Sequence, residues 1–140
     1  MQDPDQARKL MYAEQLLQTS YTIEQLQEFT AHMQDNFFKP MPPPYYALAA
    51  AGEAGEMANE VKKLWRAQSD DNGGGIWCTA EDRHRIANEA ADVLVYLLCT
   101  ADAFGFDLGD ALRRAYREKI IPRLLSEYYA HTRGTVKDDN

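Results

Sequence analysis

Apolar side chains recur at the three- and four-residue spacing of α-helices in two stretches near the start of the chain. These stretches, residues 6–18 and 22–35, each place their apolar side chains on one face and are predicted to be amphipathic helices. Thr22 and Gln25 stand at the spacing of a capping box, in which each side chain bonds the backbone N–H of the other residue. The second helix therefore has a predicted first turn as well as a predicted buried face.

Proline and glycine divide the middle of the chain. Prolines within residues 40–44 predict an extended connector, because proline lacks a backbone N–H and its ring disfavours helical geometry at the residue before it. Helical spacing resumes at Tyr45 or Tyr46 and continues through Trp65. Residues 67–79 are rich in glycine, aspartate and asparagine, and predict a flexible loop.

The remaining sequence predicts further helices with recognisable ends. Thr79 is the expected N-cap of a long helix over residues 80–104, which a glycine ends, and Asp107 is the expected N-cap of the next one. Pro122 is predicted to interrupt or kink that helix, since proline removes an intrahelical hydrogen bond. A last short helix follows, and the polar residues 132–140 are expected to form a frayed tail.

These patterns together predict an all-α fold. No alternating apolar and polar pattern of useful length is found, and no internal repeat. We expect one domain over residues 1–140, with a four-helix core bundle, an extra helix in an N-terminal extension at residues 1–20, and an extra C-terminal helix. The helices over 45–65 and 80–104 are expected to be central.

Composition and charge narrow the function classes. The 140 residues are 45% hydrophobic and carry a net charge of -7, so a nucleic-acid polymer is not the expected partner. Cys78 and Cys99 fit neither a disulfide framework nor a zinc site. No stretch is apolar enough for a membrane span or a signal peptide, and we expect a cytoplasmic protein.

Two of the predicted helices carry acidic pairs at a spacing of three residues. Residues three or four apart share a helix face, so Glu53 aligns with Glu56 and, one turn further, with Glu60. Glu89 and Asp92 align in the same way on the later helix. A solvated acidic face is one interpretation of such stripes, because charged residues are usually exposed.

Asp92 favours a second interpretation of the acidic pairs. It leads into the apolar run Val93 to Leu98, where a buried carboxylate is costly unless a proton, a base or a metal neutralises it. If the two helices pack antiparallel, the carboxylates converge, and their repulsion would raise their pKa values. Oxygen ligands without histidine or cysteine favour Mg²⁺, with Mn²⁺ as a substitute.

The sequence around these acids resembles the all-α nucleoside triphosphate pyrophosphohydrolases, which include MazG-like proteins, dimeric dUTPases and dCTP pyrophosphatases. The resemblance lies in "GEAGEMANEVKK", "NEAADVLVYL" and "AFGFDLGDALRRAYREK". It implies a Mg²⁺-dependent hydrolase that cleaves a nucleoside triphosphate between its α and β phosphates. It also implies that Glu53, Glu56, Glu89 and Asp92 are the catalytic metal ligands.

The same resemblance assigns residues to the substrate. Lys119 occupies the basic position near the phosphates, and Tyr96 the position of an aromatic that contacts the base. Phe37 and Phe38, in "NFFKP", are weaker candidates for the base pocket. Gly52 stands where many relatives carry another glutamate, so the group that activates water is left unnamed.

The sequence leaves several hypotheses about function and assembly open. A dNTP is the expected substrate, in nucleotide-pool control or housecleaning, and a homodimer or homotetramer is the expected assembly. Alternatives are a phosphoribosyl-ATP pyrophosphohydrolase and a non-catalytic helical interaction protein. A di-iron carboxylate bundle is a poor match, because it needs two ExxH motifs and the chain has one, from Glu81 to His84.

Overall fold

The computed structural model describes residues 20–68 and 78–134, with the side chains described as far as residue 130. The predicted helix over residues 6–18, most of the predicted loop and the end of the predicted tail lie outside these ranges. The described residues contain helices and no strand, which confirms the all-α prediction. None of the described helices combines the length and apolar character that a membrane crossing requires.

Five α-helices and one π-helical turn follow one another along the described chain. They are α1 (Ile23–Phe37), α2 (Pro43–Gln68), α3 (Ala80–Phe104), α4 (Leu108–Ala115), the π-helical turn (Tyr116–Ile120) and α5 (Ile121–Gly134).

The predicted caps are present at the starts of α1 and α3. The Oγ1 atom of Thr22 accepts from the N–H of Gln25 at 3.2 Å, and the N–H of Thr22 donates to the Gln25 side chain at 2.8 Å. Thr79 and Asp82 make the same reciprocal pair at 3.1 and 2.9 Å. Gly105 ends α3 with a φ of 70°, a left-handed conformation that favours glycine.

One prediction about proline was wrong, and of the two alternatives predicted for Pro122 the interruption is not found. Helix α2 begins at Pro43, not at Tyr45 or Tyr46, because the first turn of a helix leaves its N–H groups without intrahelical acceptors and so tolerates proline. Pro122 does not interrupt the last helix. The turn before it widens to a π-helix, in which the N–H of Ile121 reaches the carbonyl of Tyr116, and the chain continues to Gly134.

Helices α2 and α3 form the central pair, as predicted, and they run antiparallel. Residues late in α2 meet residues early in α3, as in the ion pair between Glu60 and Arg85 at 3.4 Å. Residues early in α2 meet residues late in α3, as in the contact of Tyr45 with Tyr96. Helix α1 packs against α3 and, less extensively, against α4.

The buried core lies at the end of the bundle where α1, α2 and α3 meet. Tyr46 and Ala50 of α2 are buried there, with Leu98, Cys99 and Ala101 of α3. Gln34 of α1 connects the three helices: its amide N–H donates to the sulfur of Cys99 at 3.2 Å, and its carbonyl accepts from the hydroxyl of Tyr46 at 3.1 Å. This core fixes the relative position of the two acid-bearing helices.

Candidate metal centre

The side chains of α2 that face α3 include acids. Beyond the buried Tyr46 and Ala50, the less exposed positions recur at Glu53, Met57 and Glu60, the spacing expected of the inner face of a helix. On α3 the corresponding inner positions include Glu89, Val93 and Tyr96. Carboxylates therefore stand inside an otherwise apolar contact between two helices.

Three carboxylates meet where these inner faces touch. Glu53, Glu56 and Glu89 each offer an oxygen atom, and the three oxygens lie within 4.8 Å of one another. It is the only group of three or more potential metal-ligating side chains found among the described residues. Hard oxygen donors at this separation suit a divalent cation of the Mg²⁺ type.

Within the described residues, no basic side chain balances the negative charge of these carboxylates. Partial removal from water raises the pKa of Glu53, and the charges of Glu56, Asp92 and Glu89 raise it further. No basic side chain contributes to the shift. The placement of the acids is thus consistent with the expected repulsion at Glu53, and a bound cation would relieve it.

Asp92 lies next to the group of three carboxylates but does not belong to it. It acts on Glu53 through its charge, yet its side chain is exposed and it is not one of the three residues with converging oxygens. The expectation of a buried Asp92 was wrong, because α1 and α2 cover only part of α3. Leu94, Val95 and Leu97 stay 39–47% exposed.

Glu60 belongs to a different set of contacts. It pairs with Lys63 on its own helix and with Arg85 on α3, and Arg85 also contacts Glu81 and Asp82. The hydrogen bond from Lys63, and then the charges of Lys63 and Arg85, lower the pKa of Glu60. The sequence assigned no role to Glu60. In the structure, this acid joins α2 to α3 by an ion pair.

Tyr96 borders the carboxylates on the side of the core. Burial raises its pKa, as does Tyr45, which bonds to it from α2, and the charge of Glu53 acts in the same direction. Tyr96 therefore lies close to the acids. Tyr45 was not predicted from the sequence, because its place beside Tyr96 depends on the register of α2 against α3.

Phe37 and Phe38 lie at the end of α1, away from the inner faces of α2 and α3. Phe37 is partly buried and Phe38 is 58% exposed. A cavity of about 220 Å³ lies nearby and does not include either phenylalanine. Its lining includes Gln34, Met41, Tyr46, Cys99 and Asp102.

Lys119 lies in the π-helical turn. It is exposed and has no hydrogen bond or ion pair within the part of the chain that the structure describes. The turn makes its substantial contacts with α4 and α5, and none with α2 or α3. Within the described residues, no hydrogen bond or ion pair joins Lys119 to the carboxylates.

The single ExxH motif lies at the start of α3. Glu81 pairs with Arg85 at 3.1 Å, and His84 is exposed. Neither residue belongs to the carboxylate group. The motif therefore lies on the charged surface at the start of α3.

Comparison with known proteins places this geometry in a family. The family model of the MazG nucleotide pyrophosphohydrolase domain matches residues 43–125, from the first residue of α2 into α5. The match includes both acid-bearing helices and covers more than half of the chain. Searches of curated proteins and of solved structures gave no significant match. The chain belongs to the MazG nucleotide pyrophosphohydrolase family.

Proposed function

We propose that the protein is a Mg²⁺-dependent nucleoside triphosphate pyrophosphohydrolase, which cleaves a nucleotide between its α and β phosphates into a nucleoside monophosphate and pyrophosphate. The observation that carries the proposal is the convergence of Glu53, Glu56 and Glu89 within 4.8 Å, inside the region that matches the family. Family membership alone supports the nucleotide pyrophosphohydrolase class. The metal and the cleaved bond are our inference.

The carboxylates have distinct places in this proposal. Glu53, Glu56 and Glu89 would hold the cation, since their oxygens already converge, and the exposed Asp92 would complete its ligands from the solvent side. A bound Mg²⁺ would neutralise the triphosphate and favour attack by water at phosphorus. The role of the chain itself is to fix four acids in place before the substrate arrives.

The substrate is expected to extend from the carboxylates toward the core. Tyr96 lies in this direction and is held by Tyr45, so its ring can contact the base. The cavity lined by Gln34 and Tyr46 lies further along the same direction. Phe37 and Phe38 border the connector next to that cavity and stay weaker candidates for base contact.

Position 52 bears on how water is activated. Gly52 lies within α2, and a Cβ atom added to it would meet nothing within 4 Å. A larger side chain would fit there, so the glycine is not required by packing. In this chain, one of the four acids accepts the proton from water, or the bound cation makes a separate base unnecessary.

We expect a canonical or modified dNTP as substrate and a role in nucleotide-pool control or housecleaning in the cytoplasm. Purified protein is incubated with Mg²⁺ and a panel of NTPs, dNTPs and phosphoribosyl-ATP, and pyrophosphate is measured. We expect pyrophosphate from at least one dNTP, and none after removal of the metal with EDTA.

Two variants control this experiment. Glu56→Gln should abolish pyrophosphate release, whereas Glu60→Gln, on the same helix and outside the carboxylate group, should retain it. Turnover of phosphoribosyl-ATP alone would contradict the dNTP assignment. No turnover of any nucleotide would contradict the proposed activity and favour a non-catalytic helical protein.

A further inference from the structure

Tyr96 lies between the carboxylate group and the buried core of the bundle. It follows Asp92 by four residues on α3, which is about one helical turn, or roughly 6 Å along the helix axis. Its side chain is partly buried, and Leu98 and Cys99, a little further along α3, are each only 2% exposed. A substrate that extends from the carboxylates toward the core therefore has to pass the ring of Tyr96.

Tyr45 holds the side chain of Tyr96 from a second helix. The two side chains are hydrogen-bonded across the contact between α2 and α3. The ring of Tyr45 also packs edge-on against the ring of Tyr46, with 5.7 Å between the ring centroids and 79° between the ring planes. Edge-to-face contacts of aromatic rings are favourable, so this contact restricts the ring of Tyr45 in turn. Tyr45 and Tyr96 are called the tyrosine pair below.

Tyr46 connects the tyrosine pair to the core. Its side chain is buried, and its hydroxyl group donates to the side-chain carbonyl of Gln34 at 3.1 Å and accepts from the N–H of Met41 at 3.3 Å. Close-packed interiors resist the displacement of their side chains. Because a shift of Tyr96 would disturb Tyr45 and then these buried contacts, the tyrosine pair is held in place.

The ring of Tyr96 offers carbon atoms, and no hydrogen-bond partner, to a group that lies against its face. The hydroxyl group of Tyr96 bonds to Tyr45, and in the proposed function the carboxylates of Glu53, Glu56 and Glu89 hold the cation. A substrate hydroxyl group against this ring therefore loses its hydrogen bonds to water and gains no partner there. A hydrogen atom at the same place has no such cost.

We propose that the tyrosine pair lies against the sugar of a bound nucleotide and excludes the 2′-hydroxyl group of a ribonucleotide, so that Tyr96 determines sugar specificity and Tyr45 is its positioning residue. This inference rests on the proposed function. The sugar joins the α phosphate to the base, so a triphosphate held at the carboxylates puts its sugar beside the first ring that the substrate passes. The base then continues past the same ring toward the core.

The expected preference for deoxyribose is moderate. A buried hydroxyl group without a partner lowers affinity by roughly 5- to 150-fold. An apolar surface rejects an analogue that only adds a hydroxyl group by about 100-fold. We therefore expect the wild type to prefer a deoxyribonucleotide over the ribonucleotide with the same base by roughly 10- to 100-fold in kcat/KM.

Steady-state kinetics with Mg²⁺ and the matched pairs dCTP with CTP and dATP with ATP test the proposal. Tyr96→Ala removes the ring and should reduce the preference to about threefold or less. Tyr45→Phe keeps both rings and removes the bond between them, so its preference should lie between those of Tyr96→Ala and the wild type. Tyr21→Phe, which alters an exposed tyrosine before α1, should keep the wild-type preference.

The ratio of the two nucleotides separates specificity from general damage to the fold. A variant that is only less stable loses kcat/KM for both nucleotides of a pair and keeps their ratio. A wild type that does not distinguish the two sugars, or a Tyr96→Ala variant that distinguishes them as strongly as the wild type, overturns the proposal. A Tyr45→Phe variant with the full wild-type ratio overturns the positioning role of Tyr45.

Titration calorimetry keeps this test independent of turnover. The probes are α,β-methylene analogues of dCTP and CTP, which cannot be cleaved between the α and β phosphates, and the wild-type preference should appear as a ratio of Kd values. If the analogues bind with that preference but no nucleotide is hydrolysed, the proposed function fails and the role of the tyrosine pair stands. If the wild type releases pyrophosphate equally from both sugars, the role of the tyrosine pair fails and the proposed function stands.

Discussion

The Glu53→Gln substitution removes one of four neighbouring negative charges and preserves the size of the side chain. In the wild type, Glu56, Asp92 and Glu89 raise the pKa of Glu53, which means that their repulsion opposes its ionisation in the folded chain. Without metal, this repulsion destabilises the folded state at neutral pH. We therefore expect Glu53→Gln to have a higher Tm than the wild type in EDTA.

Magnesium should reverse that order. A ligand at 100 times its Kd adds about 2.7 kcal/mol to the free energy of unfolding. About 100 ordered residues, close to the number the structure describes, have an unfolding entropy of roughly 0.2 kcal/mol/K. The wild type should then gain roughly 10 °C in Tm with saturating Mg²⁺, and Glu53→Gln much less, because it has lost a ligand.

Differential scanning calorimetry in EDTA and over a Mg²⁺ titration measures both effects. Glu60→Gln is the matched control, since it removes an acid from the same helix that lies outside the carboxylate group and pairs with Lys63 and Arg85. It should lower the Tm without metal and keep the Mg²⁺-dependent gain. A Glu53→Gln variant that is less stable than the wild type in EDTA, or that gains as much from Mg²⁺, would refute the reasoning.

Two further predictions concern the helix that carries Glu53 and Glu56. Gly52→Ala should raise the free energy of unfolding by about 0.5–1 kcal/mol in urea denaturation, because alanine favours helix and its Cβ meets nothing within 4 Å; an unchanged or lower value would contradict this. Lys63, bonded to Glu60, lowers the pKa of Glu60 below 4.5, so the wild type should exceed Glu60→Gln in stability at pH 7. Urea titrations at several pH values should show this difference in stability disappear as the pH falls through the lowered pKa of Glu60. A difference that does not change with pH would contradict the ion pair between Glu60 and Lys63.

Local features of the fold were well predicted from the sequence because each depends on residues a few positions apart. The capping pairs at Thr22 and Thr79 and the left-handed Gly105 are fixed by side chains within one turn. The carboxylates were expected to converge only if the two helices are antiparallel, and the structure shows this convergence for Glu53, Glu56 and Glu89 but not for Asp92. The predicted caps and the glycine that ends α3 were confirmed.

Features that depend on the surface between helices were not predictable in this way. The apolar run after Asp92 indicated burial, but the number of helices that cover α3 decides whether such a run is buried, and the described chain covers only part of it. The partner of Glu60 was open for a similar reason, since Arg85 becomes its neighbour only through the register of α2 against α3. Helical continuity through Pro122 depends on one wider turn, which has no distinct signal in the sequence.

The bond that the protein cleaves tests the central claim most directly. Phosphorus NMR of the reaction products of the wild type with a dNTP and Mg²⁺ distinguishes the two possible outcomes of triphosphate hydrolysis. The account predicts a nucleoside monophosphate and pyrophosphate in equal amounts, with neither product when Glu56→Gln replaces the wild type. A nucleoside diphosphate with orthophosphate, or products that persist at the wild-type rate in Glu56→Gln, would contradict it.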